Sequence, residues 1–419
     1  MPSDAPDRVV LFHDFSEALG GASYLVQVLI AELRARDIPV TFITGDTGRN
    51  FTRDDVGFVP LGGKALLERS KLGAFTVGFY NPRARAVTRD WIRANDTPRT
   101  IYHVNGWIKT LTPSIFAPLE PLAERLVVHG HDYFNGCPNG GFFNFQTGQD
   151  CLLEPLSRAC LSTQCDKASY AQKLWRSGRE ASRRVLMGGA TNADRLLMIH
   201  PGQQPSFERA GWPASKLCPV RNPVSPPLDQ RVAAERNQGV VFIGRISAEK
   251  GADLAAAACA RAYIPITFVG DGEEMEKVRA INPQARMLGR QDRTGVAQAL
   301  GEARLAVMPS RWSEPFGLVA LEAIGSGVPA IVARTALVAP EIEQAGFGVA
   351  VDPTDIEAFA AAIQRLSRDD AQVEAMSRAG HARYRDLCHS QAGWADAILA
   401  QYQDMLGKAA RGGGTPPAS

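Results

Sequence analysis

The stretch RVVLFHDFSEALGGASYLVQVLIAELRARDIPVTFITG, residues 8–45, decides the fold. It opens with a short apolar run, which predicts a buried strand, and the glycine-rich turn LGGAS follows. Leu25, Val28, Leu29 and Leu33 then recur at helical spacing, and PVTFITG is a second apolar run. A strand, a glycine turn, a helix and a strand in this order predict an α/β fold with a parallel sheet.

The same alternation returns after a proline-rich segment. Residues 215–230, SKLCPVRNPVSPPLDQ, contain four prolines, which argue against a continuing helix or a central strand. QGVVFIGR then reads as a strand, ADLAAAACARA as a helix, and RLAVMPS and PAIVA as further strands. We therefore expect two doubly wound, Rossmann-like domains that face each other across a cleft, with ligands beyond the carboxyl ends of the strands.

These segments also predict the domain bounds. Trp394, Ile398 and Tyr402 fall on one face of a last helix, and the Gly/Pro/Ala-rich end of the chain is expected to be disordered. The predicted parts are an N-terminal domain over 1–217 with a cysteine-containing insert at about 134–167, a linker over 218–236, a C-terminal domain over 237–390, the last helix over 391–408 and a tail over 409–419.

The composition bounds the class of protein. The 419 residues carry a net charge of +2, with 45% hydrophobic and 21% charged residues, as in ordinary soluble globular proteins. Such a balance does not indicate nucleic-acid binding. No run of about 18 apolar residues predicts a membrane span, and the first residues lack the pattern of a secretory signal. We expect a cytoplasmic protein, with the inner face of the membrane as a further expectation.

The reason to consider a membrane is a basic segment between Pro155 and Leu186. Its positive charges are opposed only by Asp166 and Glu180. Two interpretations stay open, a solvated helix face or contact with an anionic lipid surface or a diphosphate-linked acceptor. The basic residues are Arg158, Lys167, Lys173, Arg176, Arg179, Arg183 and Arg184.

The stretch EPFGLVALEAIGSGVP, residues 314–329, places two glutamates eight positions apart. It predicts a helix beginning near Leu318, with Glu314 on the loop before it and Glu322 about one turn inside. The free N–H groups of Gly317 to Val319 favour an anion. A nucleotide sugar fits, with its ribose on Glu322, its phosphate on the amides and its sugar on Glu314. The alternative is that both glutamates are ordinary solvated residues.

Other turns that follow predicted strands carry polar groups. FIGRISAEKG offers Arg245 and Lys250, a pair suited to a diphosphate. VVHGHDY ends a strand at His131, and Gly20 and Gly21 in LGGAS let a ligand approach the backbone closely. Each feature alone is also a common structural or surface feature, and the full GxGxxG fingerprint is absent.

Together these motifs resemble the retaining glycosyltransferases of the GT-B fold, glycosyltransferase family four (group 1 type). The matching stretches run in family order from about residue 10 to 355: GGAS, HGHDY, RNPV, GRISAEKG, VGDGEE, SEPFGLVALEAIGSGVPAIV and PEIEQAGFGVAVDP. The resemblance implies a last helix that crosses back onto the N-terminal, acceptor-side domain. It also implies a metal-independent enzyme whose donor is a nucleoside-diphosphate sugar, with no cofactor required for catalysis.

The resemblance assigns roles residue by residue. His131 and Glu314 would be the catalytic residues, and Glu322 would accept the ribose hydroxyls. The diphosphate would be held by Arg245, Lys250, Gly317 and Leu318; the transferred sugar by Glu314, Phe316 and Gly317; the base by the backbone around Leu288, Gly289 and Arg290; and the phosphate or acceptor by Gly20 and Gly21.

We therefore predict sugar transfer to a saccharide or lipid-linked acceptor in polysaccharide, lipopolysaccharide or glycolipid synthesis. No carboxylate has an obvious claim to be a nucleophile, so retention would follow a same-face attack in which the leaving phosphate helps deprotonate the acceptor. The alternatives are an epimerase, hydrolase or phosphorylase of this architecture, and a non-catalytic nucleotide-sugar-binding module. A binding module would not turn over a donor.

The cysteines raise a separate question. Cys137, Cys151, Cys160 and Cys165 fall within 29 residues, without a C-x2-C pair. Three interpretations stay open, namely independent reduced cysteines, a structural zinc site and disulfides, of which a cytoplasmic location disfavours the last. Cys259, inside AAAACARA, is predicted to pack in the core.

Overall fold

The computed structural model describes residues 5–18, 20–68 and 70–412. These residues divide into two compact units. The first unit contains the chain up to Thr147, Cys151–Val220 and the chain from Gln391, and the second contains Gly148–Asp150 and Arg221–Ser390. Each unit is built on a parallel sheet with helices, which confirms the predicted pair of Rossmann-like halves.

The first sheet arises from the apolar runs of the N-terminal half. The strands in that half are β1 (Arg8–His13), β2 (Val40–Thr44), β3 (Gly57–Pro60), β4 (Thr100–Val104), β5 (Leu126–Gly130), β6 (Phe143–Asn144), β7 (Gln149–Asp150), β8 (Arg195–Met198) and β9 (Leu217–Pro219). Among the described residues the sheet has the order β3-β2-β1-β4-β5-β8-β9, and its strands pair in parallel. The short β6 and β7 lie outside it.

Helices connect these strands. They are α1 (Gly21–Arg34), α2 (Lys71–Phe79), α3 (Pro82–Asn95), α4 (Phe116–Leu119), α5 (Arg158–Ser162), α6 (Tyr170–Leu186) and α7 (Gln204–Arg209). The helical spacing noted in the sequence has its expected effect in α1, where Leu25, Leu29 and Leu33 are buried against β1 and β2.

The second unit repeats the architecture. Its strands are β10 (Gly239–Ile243), β11 (Ile266–Val269), β12 (Arg286–Met287), β13 (Ala303–Met308), β14 (Ala330–Ala333) and β15 (Gly348–Val351). Within the described chain they form a parallel sheet of order β12-β11-β10-β13-β14-β15. The helices are α8 (Ala252–Ala262), α9 (Met275–Ile281), α10 (Arg293–Gly301), α11 (Leu318–Gly325), α12 (Ala339–Ala345), α13 (Ile356–Arg368) and α14 (Asp370–Arg383). Cys259 is fully buried in this core, as predicted.

The last helix, α15 (Gln391–Gly412), belongs to the first unit, as the resemblance implied. Trp394, Ile398 and Tyr402 are fully buried in the core that also contains α1 and β1. An ion pair of 2.7 Å between Arg36 and Asp396 ties α15 to the end of α1. The helix ends four residues beyond the predicted bound of 408, and residues 413–419 lie outside the described residues.

The basic segment is divided between buried and exposed charges. Lys173, Arg179 and Arg183 are buried on α6, whereas other basic residues of the segment, such as Arg158, are exposed. Arg183 and Glu180 form a buried ion pair of 2.7 Å, and the guanidinium of Arg179 donates to the backbone carbonyl of Gly78. The buried charges therefore stabilise the packing of α6 in the first unit, and contact of the segment with an anionic lipid surface stays a prediction. None of the described helices has the length and apolar character needed to cross a membrane.

Candidate functional site

The predicted donor residues of the second unit lie on turns that follow its strands. The turn after β10 ends in one turn of 3-10 helix, Ala248–Lys250. Gly251 follows with φ +70°, and a Cβ there would lie 2.0 Å from the carbonyl oxygen of Pro309, so the turn requires glycine. The backbone N–H of Arg311 donates to the Glu249 carbonyl at 2.9 Å. The turn is thereby fixed beside the end of β13.

Lys250 and Glu314, which the sequence places on different turns, meet in the structure. Lys250 Nζ lies 2.6 Å from Glu314 Oε2, and the Ser310 hydroxyl donates to the same oxygen at 3.1 Å. The ammonium also lies 5.7 Å from the centre of the Trp312 ring. Both charged side chains stay partly exposed, 33% for Lys250 and 15% for Glu314, so a ligand can reach them.

Arg245 contrasts with this anchored pair. Its side chain is 64% exposed and its nearest carboxylate, that of Glu249, is 3.7 Å away. Such an exposed pair contributes little to stability. Arg245 is therefore free to turn toward an anion near the same edge of the sheet.

Helix α11 begins at Leu318, as predicted, after Gly317 with φ +74°. A Cβ on Gly317 would lie 3.0 Å from Met308 Cε and 3.2 Å from Val338 Cγ1, and Phe316 is buried beside it. No side chain caps this helix start. The N–H groups of the first turn thus remain available to an oxyanion.

Glu322 lies on the second turn of α11 and has no ion pair or hydrogen bond within the described chain. Burial raises the pKa of its carboxyl to about 7, and the positive charge of Arg293 lowers it in part. The Arg293 guanidinium is itself held by the carbonyl oxygens of Ser225 and Pro226, at 3.2 and 2.7 Å. A half-buried carboxylate without a partner gains from accepting hydrogen bonds, so Glu322 is suited to bind the hydroxyl groups of a ligand.

The predicted base-binding residues lie at the far edge of the same sheet. Gly289, with φ +68°, follows β12, and its carbonyl accepts from the Gly270 N–H at 2.8 Å. Leu288 is half-buried and Arg290 is exposed. The role of this turn in base recognition stays a prediction.

His131 lies in the first unit, beyond the carboxyl end of β5, at one end of a stack of imidazole rings. The rings of His131 and His129 are 3.9 Å apart and nearly parallel, and those of His129 and His103 are 5.1 Å apart. His103 Nε2 lies 3.1 Å from His129 Nδ1, and His103 Nδ1 lies 2.6 Å from the Tyr402 hydroxyl. The stack joins β5, β4 and α15.

Asn105 fixes the outer ring. Its Oδ1 lies 3.1 Å from His131 Nε2, and its amide nitrogen donates to the His103 carbonyl at 3.4 Å. His131 Nδ1 and His129 Nε2 are buried without hydrogen-bond partners. Burial and the neighbouring His129 lower the pKa of His131 well below its usual value, so the ring is neutral at physiological pH.

Gly20 and Gly21 form the start of α1. Gly20 has an extended backbone, and a Cβ there would meet no atom within 4 Å. The Ser23 hydroxyl closes the turn, accepting from the Gly20 N–H at 3.0 Å. The two glycines are exposed, so the close approach of a ligand stays a prediction that the structure permits.

Several residues near these positions were missed by the sequence reasoning. His103, Asn105 and Tyr402 surround His131, and Arg293 faces Glu322. TIYHV did carry a signal, since a histidine near the end of one strand should lie beside a histidine ending the next strand of the same sheet. Asp132 was also passed over, and burial raises the pKa of its carboxyl to about 6, with nearby Asp14 adding to the effect.

The four clustered cysteines line one small cavity together with the buried Lys173. Cys137 Sγ donates to Asn139 Oδ1 at 3.1 Å, and Asn139 Nδ2 donates to Cys165 Sγ at 3.4 Å. All four are free thiols, but over the described ranges no three Cys, His, Asp or Glu are arranged to hold a metal.

The zinc site therefore stays a prediction. Zinc content per chain, measured in the purified protein, would test it. One zinc lost in Cys137→Ser and kept in Cys259→Ser would support the site, and a wild-type chain without zinc would contradict it.

Known proteins resemble this chain in sequence and in fold. The family model "Glycosyl transferases group 1" matches residues 228–383. A glycogen synthase of Mycobacterium tuberculosis is 26% identical over 222 residues, which are 49% of this chain and 50% of that protein. The chain spans about half the length of curated relatives such as this one.

The solved structures cover nearly the whole chain. Sucrose-phosphate synthase from Thermosynechococcus elongatus has a TM-score of 0.72 and 18% identity, over 96% of this chain and all of that one. Anabaena HepE, solved in complex with UDP, has a TM-score of 0.65 and 16% identity, over 95% of this chain and all of that one. The chain thus has the GT-B fold, and residues 228–383 match the group 1 glycosyl transferases.

Proposed function

We propose that the protein transfers a sugar from a nucleoside-diphosphate sugar to an acceptor hydroxyl with retention of configuration. The observation that carries the proposal is the meeting of Lys250 and Glu314, at 2.6 Å, before the uncapped start of α11. The cation and the free N–H groups suit the diphosphate of such a donor, and the carboxylate suits the hydroxyl groups of its sugar.

The hard step of the reaction is departure of the nucleoside diphosphate from the anomeric carbon. Negative charge then grows on the leaving oxygens, and Lys250, Arg245 and the N–H groups of Gly317 and Leu318 are the groups proposed to stabilise it. Groups already held in place lose little energy in reorganising during the reaction. The Gly251 and Gly317 turns hold Lys250 and the start of α11 against the end of β13, whereas the exposed Arg245 has to turn toward the anion.

Glu314 and Glu322 then have separate tasks. Glu314 is anchored by Lys250 and Ser310, which leaves its second carboxylate oxygen to accept from sugar hydroxyls. Glu322 has no such anchor and is proposed to accept from the ribose diol. Phe316 supports the backbone between them from a buried position.

Retention is proposed to follow a same-face attack, with the leaving phosphate taking the acceptor proton. His131 of the first unit is the second proposed catalytic residue, and Gly20 and Gly21 are proposed to contact phosphate or acceptor. The acceptor is proposed to be a saccharide or a lipid-linked saccharide. UDP is the first nucleotide to test, because a structure of the same fold was solved with UDP bound.

The test begins with donor binding and turnover. The purified chain would be mixed with UDP-, GDP- and ADP-sugars, and both thermal shift and nucleoside-diphosphate release would be measured. A bound donor at about 100 times its Kd should add roughly 2.7 kcal/mol to the free energy of unfolding. NMR of the product would show whether the anomeric configuration is retained.

Lys250→Ala should weaken nucleotide affinity by about 10-fold, the scale of one charge-assisted hydrogen bond. Arg261→Ala is the matched control, because Arg261 is exposed on α8 and pairs only with Glu357 among the contacts described. Equal affinity in Lys250→Ala and the wild type would contradict the diphosphate role. Donor binding with no release or transfer, for any acceptor tried, would favour a binding module.

A further inference from the structure

The histidine stack reaches from the predicted reaction centre to the last helix of the chain. Tyr402 on α15 is fully buried, and its hydroxyl contacts His103 Nδ1 at 2.6 Å. The next contact, between His103 Nε2 and His129 Nδ1, is 3.1 Å, and the His129 ring lies face to face with His131. A second connection passes through Asn105, whose amide donates to the His103 carbonyl at 3.4 Å and whose Oδ1 lies 3.1 Å from His131 Nε2.

The hydrogen bonds define which nitrogen of His131 carries its proton. Asn105 Oδ1 can only accept, so His131 Nε2 is the donor and carries the hydrogen. The neutral ring then has an unprotonated Nδ1, and this nitrogen is buried without a partner. A buried acceptor without a hydrogen bond raises the free energy of the folded protein. A ligand hydroxyl that donates to His131 Nδ1 would remove this cost.

The surroundings oppose a positive charge on the stack. The titratable groups that face it are other imidazoles and a phenol, namely His13 from β1, His103 from β4 and Tyr402 from α15. Burial lowers the pKa of His103 to about 3, and the pKa of His129 falls well below its usual value for the same reason. Burial also lowers the pKa of His13, against the opposing effect of the neighbouring Asp14 carboxylate.

We propose that Tyr402, acting through His103 and His129, is a positioning residue that holds the His131 ring in place, where Asn105 keeps its Nδ1 unprotonated. This inference rests on the proposed function for the role of Nδ1, but the coupling between Tyr402 and His131 does not. The last helix thereby belongs to the catalytic machinery. It acts without contacting the substrate.

Tyr402→Phe removes the hydroxyl and keeps the ring. Tyr102→Phe is a matched control, because Tyr102 is a buried tyrosine next to His103 in β4 whose hydroxyl donates to Asp96 at 2.6 Å. The first readout is ¹⁵N NMR of histidine-labelled full-length protein, which reports tautomer and protonation of each ring. In wild type and Tyr102→Phe we expect a single His131 tautomer with hydrogen on Nε2. In Tyr402→Phe the hydroxyl partner of His103 Nδ1 is lost, so we expect a mixture of tautomers at His103 and His129 and shifted resonances of the stacked His131 ring, which keeps its hydrogen on Nε2 through Asn105.

The second readout is turnover against pH. Tyr402→Phe should lower kcat by about 10-fold, with the donor KM within about 2-fold of wild type, and shift the acidic limb of the profile relative to wild type. Tyr102→Phe should leave the limb in place. His103→Gln, which removes the middle ring, should change the His131 spectrum in the same direction and covers the case in which Tyr402→Phe does not fold.

Unchanged His131 resonances in both Tyr402→Phe and His103→Gln would overturn the proposal and leave Tyr402 as core packing. A changed spectrum together with a wild type that turns over no donor would uphold the coupling and reject the proposed function. A changed spectrum with an unchanged pH profile would reject the role of His131 Nδ1 in the reaction. The three failures are therefore distinguishable.

Discussion

The two units place their chemistry in opposite environments. In the second unit the charged groups lie on turns, partly exposed, and each is set by a nearby stretch of sequence, such as Lys250 and Glu314. In the first unit the stacked histidines are neutral rings buried beside α15. The predicted donor site of the second unit is therefore suited to bind and stabilise charge, while the histidine stack of the first unit is suited to exclude it.

Removal of a large buried side chain from α15 should have the largest effect on stability. Trp394→Ala should lower the free energy of unfolding of the first unit by about 3–5 kcal/mol, because the indole is fully buried against α1 and the histidine stack. Denaturant unfolding followed by circular dichroism would measure it. Tyr263→Ala, at a side chain that is 86% exposed in the second unit, should change stability by less than about 0.5 kcal/mol. A similar loss in the free energy of unfolding in both variants would show that the packing of α15 does not specifically stabilise the first unit.

The next prediction concerns the proposed donor site of the second unit. Glu314→Gln should reduce kcat by about 100-fold or more, since it removes the carboxylate proposed to hold the transferred sugar. Steady-state kinetics of nucleotide release would show the change. Glu357→Gln, at an exposed pair with Arg261, is the charge-matched control and should keep its activity. Full transfer by Glu314→Gln would remove Glu314 from the site.

Acidic pH should destabilise the first unit through His103. The folded first unit holds His103 with a pKa of about 3, whereas an unfolded histidine titrates near 6.5, so the unfolded chain binds more protons below pH 6.5. Stability therefore falls as pH falls, by about 2 kcal/mol between pH 7 and 5 for this one residue. Between pH 7 and 5 the His103→Gln variant should therefore lose about 2 kcal/mol less stability than the wild type. Equal pH slopes in the variant and the wild type would show that His103 is not held neutral.

Glu322 should respond with the opposite sign. Its folded pKa of about 7 lies above the usual 4.5, so without ligand its contribution to stability falls as pH rises from 4.5 to 7. Binding of the ribose diol needs the carboxylate, so nucleotide affinity should rise by up to about 10-fold from pH 6 to 8. Titration calorimetry would measure this rise, and Glu322→Gln should flatten it. A flat profile in the wild type would contradict the ribose role.

Local signals in the sequence were enough for much of the second unit. The strand, glycine turn and helix pattern predicted β10, α8, β13 and α11, and the start of α11 was placed at the correct residue. The contact between Lys250 and Glu314 was not predicted, because two turns far apart in sequence meet only when the sheet order is known. The same holds for Arg293 beside Glu322.

The first unit depends more on contacts that no local pattern contains. Tyr402 and His103 touch across a separation of 299 residues, and the inward turn of Arg179 and Arg183 on α6 reverses the usual meaning of a basic run. A buried cation is tolerated there because each finds a carboxylate or carbonyl oxygen. Charge counts along the sequence cannot show which way a helix faces.

The return of α15 to the first unit has a consequence for how the chain folds. Arg36 and Asp396 are 360 residues apart, and all of the second unit after β9 is made between the two halves of their core. During synthesis the second unit can fold as soon as it leaves the ribosome, whereas the first unit lacks its final helix until Trp394 and Tyr402 emerge. The first unit, most of which is synthesised first, is therefore the last to finish folding. Until α15 has been made, the first unit is more exposed to chaperones and proteases than the second.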